Sequence, residues 1–316
     1  MNILAYVGFV LAAYSVIAND VIQTLGTFLA SNKNKNWVLL WLFAGGVLSS
    51  VLIYGWYNFD GDVSYGRLSK IPFPTEINIL YLLPPVCLLI ITRIGIPIST
   101  TFMILTVFSA GQIIEKMVLK SILGYGIAFI ASITLYYIVA KQLERPASLK
   151  KLEKSGNEKF WYIGQWLSTG FLWVQWLIQD FANIYVYLPR ALSFAEMIIS
   201  LSVILLMLAI IFKQKGGKIQ EVVTNKTNAE NIRSATIIDL CYGLVLFVFT
   251  EINSVPMSTT WTFIGILAGR EIAIRTRLKH KIKNKVYKII FWDLTKVMIG
   301  LVVSVILAYL IIFINA

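Results

Sequence analysis

Histidine is almost missing from this chain: there is one, His280, among 316 residues, and it lies in a run of basic side chains. A haem, a histidine-bound zinc or a histidine proton relay needs imidazole where the chemistry happens, so none of these is expected. Cysteine is nearly as scarce. Cys87 and Cys241 both fall in apolar runs, too few and too isolated for a metal cage or a disulfide framework, and they read as packed free thiols. No glycine-rich nucleotide loop, CxxC pair or Ser-His-Asp set occurs, and no polar stretch is long enough for an ATPase domain. An enzyme is therefore not expected, and no cofactor. Charge is also short, at 14% of residues.

Apolar residues take up that room. At 58% hydrophobic, the chain exceeds the roughly 45–50% of soluble domains, and its mean hydropathy is +0.74. Segments near 1 to 30, 37 to 57, 120 to 141, 160 to 190, 195 to 212 and 297 to 314 each approach or exceed the ~20 residues that span a bilayer as a helix. Shorter apolar runs at 77 to 92, 102 to 114, 236 to 250 and 261 to 274 complete the pattern. The composition predicts an all-α polytopic membrane protein of about ten membrane segments. The first segment has no basic region before it and no small-residue cleavage site, so it reads as a retained helix rather than a signal peptide.

The net charge of +12 is unevenly spread. Basic residues crowd the link between the halves from Lys141 to Lys159, a second loop from Lys213 to Arg233, and residues 270 to 296. By the positive-inside rule these face the cytoplasm of a cell membrane, the inner membrane in a bacterium, whereas the loop at 58 to 76 lies outside. Anionic lipid headgroups account for the excess, and no nucleic-acid partner is expected. Both termini are then outside.

Two short motifs recur. PISTT at Pro97 to Thr101 and PMSTT at Pro256 to Thr260 begin 159 residues apart, and Asn19-Asp20 and Gln179-Asp180 lie 160 apart. A shared spacing indicates an internal duplication, with repeats at 1–141 and 160–316 joined by a linker at 142–159. Five crossings per repeat, an odd number, invert the second copy relative to the first, as in many secondary transporters. A proline followed by Ser-Thr-Thr breaks a helix, or turns it back as a re-entrant segment, and leaves hydroxyls and free N–H groups at the start of the next helix. That arrangement suits an oxyanion, so Ser99, Thr100, Thr101, Ser258, Thr259 and Thr260 are candidate anion ligands. For a single copy, Ser and Thr bonding back to the preceding turn is the competing reading, and duplication weighs against it.

A carboxylate within a membrane helix costs at least ~2.5–3.5 kcal/mol and marks function by default. Asp20 and Asp180 would repel an anion, so they are better suited to a cation or proton entering with it. Asn19, Gln23, Gln179 and Asn183 add oxygens beside them, because residues four apart share a helix face. The competing reading makes each Asp an interhelical hydrogen-bond partner. Glu251, five residues before Pro256, is a candidate third carboxylate; Glu115 and Glu271, each beside basic residues, read as solvated ion pairs. Arg93 reads as snorkelling at a helix end. Pro84-Pro85 reads as a kink within its helix.

With these elements in place, the sequence resembles the inorganic phosphate transporter family, whose two inverted halves each carry an Asn-Asp-x-Ala-Asn type element and a later Gly-x-Pro-x-Ser-Thr-Thr-His element. Here they read ANDVIQTLGT (Ala18 to Thr27) and RIGIPISTTF (Arg93 to Phe102), then QDFAN (Gln179 to Asn183) and NSVPMSTTW (Asn253 to Trp261). Phe102 and Trp261 stand where the family has histidine, and Gln23 and Gln179 each replace an asparagine. The resemblance implies sodium- or proton-coupled uptake of a tetrahedral anion, phosphate or sulfate, with phosphate favoured. It places the Asn-Asp elements near the cations and the Ser-Thr-Thr turns near the anion. It also implies homodimerisation. A transporter-like protein that has lost transport and serves as a sensor or assembly partner is the alternative reading.

Overall fold

The computed structural model describes residues 2–74, 76–94, 98–109, 111–143, 158–216, 220, 231–252, 254–277 and 284–315. Pro97, most of the 142–159 linker, Lys218, Lys226 and His280 lie outside them. The described chain is α-helical, with no strand among the described residues.

The first helix runs from Ile3 to Ser31 as α1 (Ile3–Val16) and α2 (Ile22–Ser31), joined by a π-helical turn at Ile17–Val21. Asn2 caps its start, accepting from Leu4 N at 3.1 Å. After α3 (Trp37–Asn58) the chain forms a series of turns, then α4 (Leu83–Arg93), α5 (Thr100–Leu105) and the long α6 (Gly111–Leu143). The second part contains α7 (Glu158–Tyr185), α8 (Phe194–Lys213), α9 (Ile232–Ile252), α10 (Thr259–Arg277) and α11 (Asn284–Asn315).

Six helices among the described residues are long and apolar enough to cross a bilayer: Ile3–Ser31, Trp37–Asn58, Gly111–Ile138, Phe194–Lys213, Ile232–Ile252 and Ile290–Ile311. Their outer faces present large apolar side chains, such as Leu206, Ile130 and Tyr309, which lipid would cover. The chain is built as an integral membrane protein. The expected span at 160 to 190 is not among the six, because Gln165, Gln175, Gln179, Asp180 and Asn183 lower the hydropathy of α7. At 28 residues α7 is still about 42 Å long. Its polar face is buried among other helices, with Trp173 and Trp176 stacked inside the bundle at 4.9 Å between ring centroids.

Three expectations are corrected. Pro84-Pro85 does not kink a helix; it lies in the first turn of α4, where the missing N–H groups would have had no partner. The basic stretch at 270 to 296 is not one loop, since α10 continues to Arg277 and α11 begins at Asn284. The apolar run at 102 to 114 is not one segment: a 3-10 turn at Thr106–Phe108 ends it, and α6 starts at Gly111.

Segment 79–108 turns back on itself. The Tyr81 ring, before α4, lies 5.1 Å from that of Phe108, after α5, and both meet Tyr187, whose hydroxyl donates to Tyr81 O at 2.7 Å. The helix start at Ser99 therefore lies between two flanks that come together at Tyr187. Its counterpart sits between α9 and α10, whose far ends meet where Arg270 Nη2 donates to Ser234 Oγ at 3.3 Å. α6 packs along α10, and α7 along α9.

Candidate functional site

Each Ser-Thr-Thr turn begins a helix. Ser99 has extended backbone, and its hydroxyl accepts from Phe102 N at 3.2 Å; Ser258 Oγ accepts from Trp261 N at 3.3 Å. These two serines are N-caps, satisfying N–H groups the helix itself leaves open. The threonines turn the other way. Thr101 Oγ1 donates to Met257 O at 3.1 Å, and Thr260 Oγ1 donates to Ile98 O at 3.3 Å, so each turn reaches the backbone of the other.

The carboxylates lie against this crossing. Thr100 donates to Asp20 Oδ2, and Thr260 approaches Asp20 Oδ1 at 3.4 Å. Asn19 Nδ2 donates to Asp20 Oδ1 at 2.7 Å and to Ile98 O at 2.6 Å, while Gln23 Nε2 donates to Asp20 Oδ1 at 3.2 Å. Across the crossing, Asp180 Oδ1 accepts from Asn183 and, at 3.4 Å, from Thr101, and Thr259 faces it as well. Asn183 Nδ2 also donates to Thr100 and Thr101, at 3.1 and 3.2 Å. Each carboxylate thus meets threonines of both turns. Asp20 sits in the wide π turn, a local widening often found at functional sites.

None of the twelve residues singled out from the sequence is more than 3% exposed. Gln179 stands apart from the others, donating to Thr250 Oγ1 at 2.9 Å on α9. Where the motif departs from histidine, Phe102 and Trp261 pack edge to face at 5.8 Å and close the apolar side of the site.

Acceptor oxygens are in surplus. Asn19 Oδ1, Gln23 Oε1, Gln179 Oε1, Asp180 Oδ2 and Asn183 Oδ1 are buried with no hydrogen-bond partner among the described residues. An unsatisfied buried polar atom costs about 1–3 kcal/mol, so five together would rival the roughly 5–15 kcal/mol net stability of a domain. Such a set needs a donor or a cation, and hard oxygens beside carboxylates suit a small hard cation. Sodium fits this donor set.

No protein-family model matches the chain, and no curated protein matches it in sequence. Among solved structures, one described as "The sodium-dependent phosphate transporter" superposes with a TM-score of 0.63 at 17% identity, over 99% of this chain and 99% of that one. This chain has the fold of that phosphate transporter. The resemblance read from the motifs is thereby borne out as a likeness of fold along the whole chain.

Within that phosphate-transporter fold, one buried carboxylate escaped the sequence reading. Asp239 on α9 is fully buried and accepts from Thr27 and Thr169 at 2.5 Å and from Gln165 at 3.4 Å. Its signal was an aspartate inside an apolar run, masked because the other half has no counterpart. Glu251, the expected third carboxylate, is exposed at the end of α9. Glu115 and Arg93 are exposed as well, and Glu271 pairs with Arg275 at 2.5 Å.

Proposed function

We propose that the chain is a divergent member of the inorganic phosphate transporter family. On this reading it is a secondary transporter that carries a tetrahedral inorganic anion, phosphate favoured over sulfate, together with sodium or protons by alternating access. The observation that carries the proposal is the sealed cluster in which two buried carboxylates meet two crossed Ser-Thr-Thr turns amid a surplus of acceptor oxygens.

In this reading Asn19, Asp20, Gln23, Asp180 and Asn183, with Gln179 beside them, take the cation, or Asp20 and Asp180 take protons. The threonines and the N–H groups of the two helix starts take the anion, with Ser99 and Ser258 holding the turns in shape. The coupling is electrostatic. Like charges about 4 Å apart repel by about 4 kcal/mol at an effective dielectric of ~20, so an anion next to Asp20 and Asp180 is disfavoured until positive charge arrives. A bound cation offsets that repulsion and also occupies the unpartnered oxygens. The fold match to a sodium-dependent phosphate transporter supports sodium and phosphate over the alternatives.

Alternating access follows from the duplication. We assign residues 1–141 and 160–316 to two inverted repeats around the fixed site, joined by a cytoplasmic linker at 142–159, with both termini outside. The order of the helices on either side of the linker supports this assignment. The test is uptake of radiolabelled phosphate and sulfate into liposomes holding the purified chain, with a sodium gradient, a proton gradient or neither. Gradient-driven phosphate uptake is expected. No uptake of phosphate or sulfate under any gradient would favour the non-transporting alternative.

A further inference from the structure

One buried cation plays no part in the cluster described so far. Residues 59–71 fold as a chain of tight turns held from several sides. Asp62 Oδ1 accepts from Ser64 N at 2.7 Å, Asp62 Oδ2 accepts from Gly66 N at 2.9 Å, and Tyr65 OH donates to Val51 O at 2.6 Å. The segment is tied to the second half, where Leu192 N donates to Gly61 O at 3.0 Å and Arg190 Nη2 to Ile71 O at 3.1 Å. At Gly61, φ is +91°, and a Cβ there would lie 3.0 Å from the Leu192 backbone, so glycine is required. Val63, Leu68 and Ile71 anchor the turns in the core.

This built segment carries Arg67 to 2% exposure. Its Nε and Nη2 make no hydrogen bond among the described residues. Burial pulls the guanidinium down to about 10, while Asp180 and Glu251 act to raise it, so it is a cation at neutral pH. Lys120 of α6 lies within electrostatic range of Arg67 and Lys70. Lys120 Nζ, also buried, donates at 2.7 Å to Val255 O, one residue before the proline of the second Ser-Thr-Thr turn. Lys120 is thus bound to the approach to that turn, and the buried Arg67 lies within electrostatic range of both Lys120 and Asp180, the carboxylate that repels anions.

We infer that Arg67 and Lys120 form an outer seat for the oxyanion, which Arg67 grips with its two unused donors on the way to the threonine hydroxyls. The inference rests on the transport reading and names residues that the duplicated motifs do not contain. A guanidinium fork matches the paired oxygens of phosphate or sulfate, and an ammonium adds charge without fixed geometry. Together they offset the field of Asp180 where the anion arrives.

The test is equilibrium binding of radiolabelled inorganic phosphate to the full-length chain in detergent with sodium present, alongside liposome uptake. Arg67→Gln should weaken phosphate binding about tenfold or more, the scale of a lost charge-assisted contact. Its half-saturating sodium concentration should hold or fall, because Asp180 loses a repelling cation. A general structural defect would weaken both. Arg67→Lys should recover part of the loss and Lys120→Gln should reproduce a smaller one; these two variants decide the matter if Arg67→Gln does not purify as a monodisperse protein. Phosphate affinity within about twofold of wild type in Arg67→Gln, or weakened sodium and phosphate binding together, overturns the inference. Added phosphate that fails to bind the wild type also overturns it, including the case where a lipid headgroup phosphate occupies the seat. Binding that depends on Arg67 without any uptake would instead overturn the transport reading and leave the seat standing.

Discussion

Asp20 and Asp180 are isolated acids in the sequence, but in three dimensions each meets threonines of both turns. Replacing either with asparagine keeps size and one carbonyl oxygen while removing the charge that offsets a cation. Asp20→Asn and Asp180→Asn should each abolish gradient-driven uptake in liposomes while leaving a monodisperse protein; cation dependence like wild type in both would make the pair structural. The turns allow a finer distinction. Thr101→Val removes a hydroxyl at nearly constant shape and should weaken anion binding by about 1–3 kcal/mol, read as a raised KM for uptake. Ser99→Ala removes a helix cap, so it should lower thermal stability by about 1 kcal/mol with a smaller effect on KM. Equal effects of the two on KM would show that Ser99 also contacts the anion. The sequence singled out all six hydroxyl residues alike, and only the backbone at Ser99 and Ser258 separates caps from site-facing groups.

At the scale of the helices, α6 and α10 approach backbone to backbone. Gly265 and Gly269, four residues apart on α10, face α6 so closely that a Cβ would sit 2.5 Å from Tyr125 O and 2.4 Å from Phe129 O. This small-residue stripe lets two helices meet backbone to backbone, which in lipid replaces the hydrophobic driving force available in water. Gly269→Val should force α6 and α10 apart at a cost of about 1–3 kcal/mol, seen as a lower melting temperature in detergent. Because α10 starts at Thr259, the same change should also reduce uptake. An unchanged melting temperature would show that the contact yields freely. The stripe was legible as GILAG in the sequence but uninformative there, since nothing in one chain says which helix a glycine meets. The π turn at Ile17–Val21 was not legible either, because it answers to packing around Asn19 and Asp20 rather than to local propensity.

At the level of the whole molecule, the site is sealed and the outer surface is apolar, an arrangement suited to a protein whose solvent is lipid. Asn2 donates to Ile77 O at 3.0 Å and Leu192 N to Gly61 O, so the N-terminus, residues 59–78 and residues 186–193 share one face. In the topology proposed above, that face is external. With Cys87 and Cys241 replaced by serine, a thiol introduced at exposed Asp60 should react with an impermeant maleimide added outside intact cells, and one at Lys150 only after permeabilisation. The reverse pattern would invert the assigned topology.

Hydropathy alone was enough to identify a helical membrane protein, since no soluble fold hides so much apolar surface in runs of bilayer length. Matched spacing of Asn-Asp with Pro-x-Ser-Thr-Thr picked out elements that fold into one cluster, in which each carboxylate meets threonines of both turns. Which face of each helix meets which neighbour was beyond that reading. Gln179 turns to α9, Glu251 is exposed, and Asp239, unpaired in the repeat, finds its three partners on two other helices. Arg67 read as one more loop charge until folding buried it within electrostatic range of Asp180. The physical reason is shared: in a bundle where almost every segment is apolar, hydrophobicity puts each helix in the membrane but scarcely distinguishes its neighbours. Close backbone packing and the pairing of a few buried polar groups set those neighbours, and these contacts exist only once the chain is folded.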